Sequence, residues 1–361
     1  MSRLSVLGAA VATFVSIVVC VGSASAATNC QFSTRRTNMT LLGDCTTDAT
    51  ILVPDGFTLH GENFTITAVD PPGGHFLGAV VRNAGTEANV RDLRVSASNL
   101  VDACDAGEAA LRGIELSGAS GSLVGNVVRN LNQASGHGGC QEGDGIVAQS
   151  FGATTRVHIE GNTVEAYQKN GVVVLGNVRA TVRANRIAGL GPVDVIAQNG
   201  IRIGLGADAT VEANVVSGNS YSGTAGAVQA SGILVVGGPN FSGCAVTPCP
   251  FTTDLRITHN LLFENDVAVL LNNSANAMSA APETPTNNRV ENNAIFKSSL
   301  TNGSATQVGI FDVGNHDRII GNVISGRGYD PAANPGAFTE RIFAELPFAL
   351  DPVIRQNRLL P

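Results

Sequence analysis

One asparagine pattern returns eight times along this chain, at Asn126, Asn162, Asn185, Asn214, Asn260, Asn293, Asn322 and Asn357. Two residues after each stands Val128, Val164, Ile187, Val216, Leu262, Ile295, Ile324 or Leu359. Three residues before each stands Leu123, Ile159, Val182, Val211, Ile257, Val290, Ile319 or Ile354. Every flanking position is aliphatic in a chain that is only 43% hydrophobic by a broad definition, so chance does not account for the pattern. Between the asparagines lie glycine-led stretches such as Gly171-Val172, Gly200-Ile201 and Gly232-Ile233. Their alternation, with Ile201 and Ile203 to one side and Arg202 to the other, is the period of a strand with one buried face. The shortest interval is the 23 residues from Asn162 to Asn185, and insertions such as 239–254 and 273–288 lengthen others. An interval this short cannot bury its own apolar face. Stacked at the ~4.8 Å spacing of neighbouring strands, successive intervals align their equivalent residues into columns. The expectation is an all-β parallel β-helix, a solenoid of roughly ten coils and about 45–50 Å long. Its corner asparagines would bond one another as a ladder of amides.

The N-terminus reads differently. Arg3, an apolar run to Val21 and Ala24-Ser25-Ala26 have the layout of a secretory signal peptide over residues 1–26, and the run is too short for a spanning helix. A secreted chain with no membrane attachment is expected. The remaining cysteines, Cys30, Cys45, Cys104, Cys140, Cys244 and Cys249, are even in number and lack zinc-site spacing, so they read as disulfides. Proximity along the chain favours Cys30–Cys45, Cys104–Cys140 and Cys244–Cys249. A net charge of −7 argues against nucleic acid as a partner, and a monomer is expected.

The order of strand, turn, strand and asparagine corner, together with the opening stretch TTDATILVPDGFTLHGENFTITA (46–68), resembles the right-handed parallel β-helix superfamily that includes pectate-lyase-like and polygalacturonase-like proteins. The resemblance covers residues 46–360 and implies the handedness of the coil. It does not imply one activity, because the repeats are framework and the superfamily hosts lyases, hydrolases, epimerases and adhesins. The signature motifs of its enzymes are incomplete here. Of the polygalacturonase-like set, Gly136-His137-Gly138 matches G-H-G, but no D-D and no R-x-K exist. Tyr329-Asp330-Pro331 falls short of the alginate-epimerase-like Y-G-x-D-P-H, and the pectate-lyase-like R-x-P-x-x-R is missing.

Solenoid ends need closing. Residues 27–45 are expected to form an N-terminal cap, and 337–350, with Phe338, Ile342, Phe343 and Leu346 at helix-like spacing, a short amphipathic cover on a β-helix domain of 46–361. Chemistry is expected on outward strand faces and in loops that emerge at one corner. The loop at 132–145 offers His137, Glu142 and Asp144, with Glu142 on the surface. Asp144 precedes a glycine-led strand at a position occupied by Asn170, Asn199 and Ser231 in later coils, which also reads as a ladder of turn residues. Lys169, with Tyr167 beside it, and Arg202 lie one and two coils on. Removing the proton α to a uronate carboxylate needs a base and a positive charge to hold the enolate, roles open to Lys169 and Arg202 with His137 and Asp144. Calcium on Glu142 and Asp144 is the alternative source of charge. Extracellular polysaccharide is the expected partner, and β-elimination of uronate polymers the expected chemistry if the chain is catalytic. The competing reading is a non-catalytic surface protein whose rigid rod displays loops. A further outward set, His158, Glu160, Arg183, Glu212, Arg256, Arg289, Glu291 and Arg318, reads as a solvated face of mixed charge.

Overall fold

The computed structural model describes residues 28–133, 139–224, 228–244, 246–276, 280–301 and 306–361. Strands wind into a right-handed parallel solenoid made of one twenty-stranded and one eleven-stranded sheet. Among the described residues the strand pairings are parallel apart from Phe32–Arg35 against Asn38–Leu41, an antiparallel pair that precedes the first coil. The larger sheet carries two columns of strands that merge in the long strands Asp144–Glu160 and Asn170–Arg183, so the rod has three sides.

The interior follows from the alternation. Ile114, Ile146, Val172, Ile201, Ile233, Val269 and Ile310 lie in register on successive coils, and none is exposed. On the second side Leu123, Ile159, Val182, Val211, Ile257, Val290 and Ile319 do the same, and on the third Val128, Val164, Ile187, Val216, Leu262, Ile295 and Ile324. Burying a Val, Leu or Ile side chain is worth roughly 1.5–3 kcal/mol, so the three columns dominate the stability of the rod. At the C-terminal end the pattern persists without a neighbour to cover it, and Ile354 and Leu359 are 44% and 51% exposed.

The asparagine corners form the ladder their spacing predicts. Each Nδ2 donates to the Oδ1 of the next asparagine, from Asn126 through to Asn357, at 2.9–3.0 Å. The same oxygen accepts the main-chain N–H of the earlier asparagine at 2.9–3.0 Å. The second Nδ2 hydrogen goes to a strand carbonyl, as from Asn185 to Ile159 at 2.9 Å. A buried amide is thereby satisfied on every coil. The residue before each asparagine has a positive φ, from 53° at Ala184 to 70° at Gly321.

All three disulfides have the pairing that chain proximity suggested. Cys30–Cys45 fastens the first turn. Cys244–Cys249 gathers the 239–254 insertion, whose Phe241 packs with Cys249 over Leu205 and Val236. Residues 337–350 differ from expectation. No helix forms there; Thr339–Phe343 is a strand paired in parallel with Gln307–Val313. An open strand edge offers a full row of main-chain partners, which outweighs helix-like side-chain spacing in so short a segment. Phe343, Phe348 and Phe338 then close on Phe311, with ring centroids 4.9, 6.0 and 6.3 Å from it. Among the described residues no helix is long and apolar enough to cross a membrane.

Candidate functional site

Glycine shapes the outer strip on which the charged candidates lie. A Cβ on Gly171 would stand 2.5 Å from Ile187 Cγ2 and 2.6 Å from the Gly200 carbonyl oxygen, so only glycine lets the strand enter so close to its neighbour. The residues just before these glycines stay on the outer face. Asn170, Asn199 and Ser231 are in register there, one coil after another. Asp144, in register with Arg112, begins the row. Asn170 donates its amide to Asp144 Oδ1 at 2.6 Å, and Asn199 donates to Asn170 Oδ1 at 2.9 Å. The ladder of turn residues is therefore real, and its end is an aspartate.

Arg202, Arg112 and Lys169 lie within electrostatic reach of that aspartate. Lys169 Nζ donates to the Ala197 carbonyl at 2.8 Å, and Arg202 projects outward from the next coil, between Ile201 and Ile203. Burial raises the Asp144 carboxyl above its ordinary value, although the Asn170 hydrogen bond and the charges of Arg202, Arg112 and Lys169 oppose it. Burial, then the Arg202 charge, lower the Lys169 ammonium to about 8, against the pull of Asp144. Burial likewise lowers Arg202. The cluster thus holds an amine that is partly neutral near neutral pH, a carboxyl whose ionisation burial opposes and a guanidinium. Arg202 Nε, Asn199 Oδ1 and Ser231 Oγ are all buried here without a hydrogen-bond partner. Native folds rarely leave such atoms unpaired.

The other candidates fare differently. His137 lies outside the described residues. Glu142, expected on the surface, is 1% exposed, and its two oxygens accept the main-chain N–H groups of Asp105 at 2.9 Å and Leu111 at 2.7 Å. It pins the loop beside the Cys104–Cys140 bridge. With both Glu142 oxygens engaged, Asp144 bonded to Asn170, and no group of three or more metal-ligating side chains among the described residues, the donor set does not fit the calcium site expected there. Tyr167 is interior, its hydroxyl donating to Asn219 Oδ1 at 2.6 Å.

Three polar clusters escape a reading of the sequence. On the outer strip Arg112 meets Glu115 at 2.7 Å, with Arg82 at 3.5 Å from the other Glu115 oxygen. Lys297, one of two lysines after the N-terminal segment, is buried against Asp266 at 3.3 Å, and Thr301 donates to the same aspartate oxygen at 2.8 Å. Asp312 and Asp317 face each other inside the rod. Both are 0% exposed, and Asp317 accepts from Thr286 Oγ1 and from the Asn288 N–H at 2.6 Å each. Of these, the scarcity of lysine could have drawn attention to Lys297.

Comparison with known proteins bears on the fold. A family model described as the right handed beta helix region matches residues 112–324. The Dettilon tailspike protein (gp208) superposes with a TM-score of 0.54 at 12% identity, covering 90% of this chain and 61% of its own, so this chain spans under two thirds of the tailspike's length. The periplasmic alginate epimerase AlgG gives a TM-score of 0.43 at 10% identity over 89% of this chain and 78% of its own. The catalytic unit of the GH87 alpha-1,3-glucanase from Streptomyces thermodiastaticus gives 0.42 at 14% identity over 88% and 61%. No curated protein matches by sequence.

Proposed function

The chain belongs to the right-handed β-helix family, whose repeats are scaffold, and from that premise we propose that it is an exported protein that binds or processes extracellular polysaccharide on the strip carrying Asp144, Lys169 and Arg202. The observation that carries this reading is the electrostatic coupling of those three groups on one outer strip of the rod. Cationic side chains suit a ligand rich in carboxylate oxygens, and a strip that runs along the rod suits a linear one. The three disulfides agree with an oxidising compartment reached through residues 1–26, with 27–45 as the cap of the exported domain.

The chemistry that fits is β-elimination on a uronate polymer. Neutral Lys169 takes the proton α to the carboxylate, Arg202 holds the charge that builds on that carboxylate, a carbon–carbon double bond forms, and the glycosidic C–O bond breaks. Protonated Asp144 returns a proton to the departing oxygen, and His137 on the adjoining loop stands within this proposal as a further acid or base. Incubating the protein with polygalacturonate and with alginate, with and without calcium, should generate unsaturated uronate absorbance. The rate should pass through a maximum in pH, because Lys169 must be neutral and Asp144 protonated at once, with one limb near the Lys169 value of about 8. Lys169→Met should lower it by about a hundredfold while leaving polymer binding in place. Absence of turnover with binding retained would leave a carbohydrate-binding rod. Absence of both would favour the non-catalytic interaction protein.

A further inference from the structure

On the second side of the rod the residues four positions before the corner asparagines face outward in a single column. It runs in register through Ser122, His158, Thr181 and Thr210 to Arg256, Arg289 and Arg318. The next outward column is mixed, with Glu160, Arg183, Glu212 and Glu291 along it, whereas Arg256, Arg289 and Arg318 form an unbroken run of one sign. The three arginines occupy consecutive coils, which places their side chains about 4.8 Å apart at the backbone. Like charges directly opposite on neighbouring strands are destabilising. Nothing nearby neutralises most of the stack. Glu291 comes within 3.6 Å of Arg318, while Arg256 and Arg289, both exposed, have no acidic side chain within ion-pair distance among the described residues. Toward the N-terminus the same column enters a depression of about 240 Å³ lined by Arg156, His158, Arg179, Thr181 and Asp208.

We propose that this face is a second binding surface, distinct from the Asp144 strip, for a linear polysaccharide bearing an acidic group on each sugar, laid along the rod from the depression to Arg318. Each guanidinium offers a planar fork of donors to a carboxylate, and the one-coil repeat is of the order of one sugar ring. A bound polyanion turns the repulsion within the stack into attraction, which gives the unneutralised arginines a physical reason to stand together. The overall charge of −7 disfavours a nucleic acid, whose dense phosphates would meet a repelling field beyond the column. This inference does not depend on chemistry at Asp144.

The test is binding of the full chain to immobilised polygalacturonate, with neutral dextran and double-stranded DNA as comparison ligands. Polygalacturonate should bind, and binding should fade between roughly 0.05 and 0.5 M salt as the Debye length shrinks. Exchanging Arg256, Arg289 and Arg318 together for glutamine should weaken it by about tenfold, each exposed pairing contributing modestly. The corresponding lysine triple should keep most of the affinity. Because all three side chains project outward from the sheet, the variants are checked for unchanged thermal unfolding; if the glutamine triple unfolds early, the lysine triple and the salt series decide. Equal binding by the folded glutamine triple, equal binding of neutral dextran, or tighter binding of DNA would each overturn the proposal.

Discussion

Asp312 closes a column that is otherwise hydrocarbon: Ala148, Val174, Ile203, Val235 and Leu271 precede it in register inside the rod. Its hydrogen-bond partner is Asp317, and burial together with that neighbour raises its carboxyl well above the ordinary value. Asp317 is also raised, chiefly by burial. The pair is accommodated by a proton held between two carboxylates that cannot both ionise in a dry site. A raised pKa means that the fold binds the proton more tightly than the unfolded chain does. The stability it contributes is complete below the unfolded carboxylate value, about 4, and is lost as pH rises through the raised folded value. Asp312→Asn supplies a permanent donor of the same shape. Thermal unfolding followed from acid to alkaline pH should show the variant gaining on the wild type as pH rises; parallel curves would mean that the pair carries no proton. The polar residue within the strand Gln307–Val313 is visible in the sequence, but its partner across the corner is not, because local pattern says nothing about which turn brings two acids together. Glu142 was misplaced for the same reason. Its acidic, glycine-rich surroundings look solvent-exposed until the amides of Asp105 and Leu111 are seen to close on it.

Among the elements, the corners were the most legible. Asparagine with its two aliphatic neighbours marks where the chain turns, because that one residue must satisfy its own coil and the next. The left-handed residue before it was hidden. Gly125, Gly161 and Gly321 announce it, but Ala184, Ala213, His259, Asn292 and Gln356 hold the same positive φ despite a Cβ. The ladder therefore holds non-glycine residues in a conformation that costs roughly 1 kcal/mol or more each. A Cβ on Gly161 would touch nothing within 4 Å, so Gly161→Ala isolates the backbone cost. It should lower stability by about 1 kcal/mol, read as a shift in urea midpoint at constant slope. The C-terminal segment was the least legible element. Phe338, Ile342 and Phe343 have helix-like spacing, yet the unpaired edge of Gln307–Val313 drew Thr339–Phe343 into a strand, a tertiary demand that side-chain period does not register.

For the whole molecule, the strand Thr339–Phe343 shields an edge as well as an apolar patch. Removing residues 337–361 would uncover the strand Gln307–Val313 and the ring of Phe311, and the truncated rod should associate into larger species by light scattering; a monodisperse monomer would show that the edge needs no cover. Architecture at this scale could be read from residue order, because each coil repeats the same physical problem. The face that carries chemistry could not, since it depends on which outward columns coincide. The amide bond joining Asn162 to Asn185 spans 23 residues and measures 3.0 Å, and the one joining Asn214 to Asn260 spans 46 residues and measures 3.0 Å as well. Doubling the length of a winding leaves its fastening untouched, because the surplus chain leaves at the bends. New segments can accordingly be grafted at those bends, and lost again, without the shaft having to be refashioned, so one stem can carry many tools.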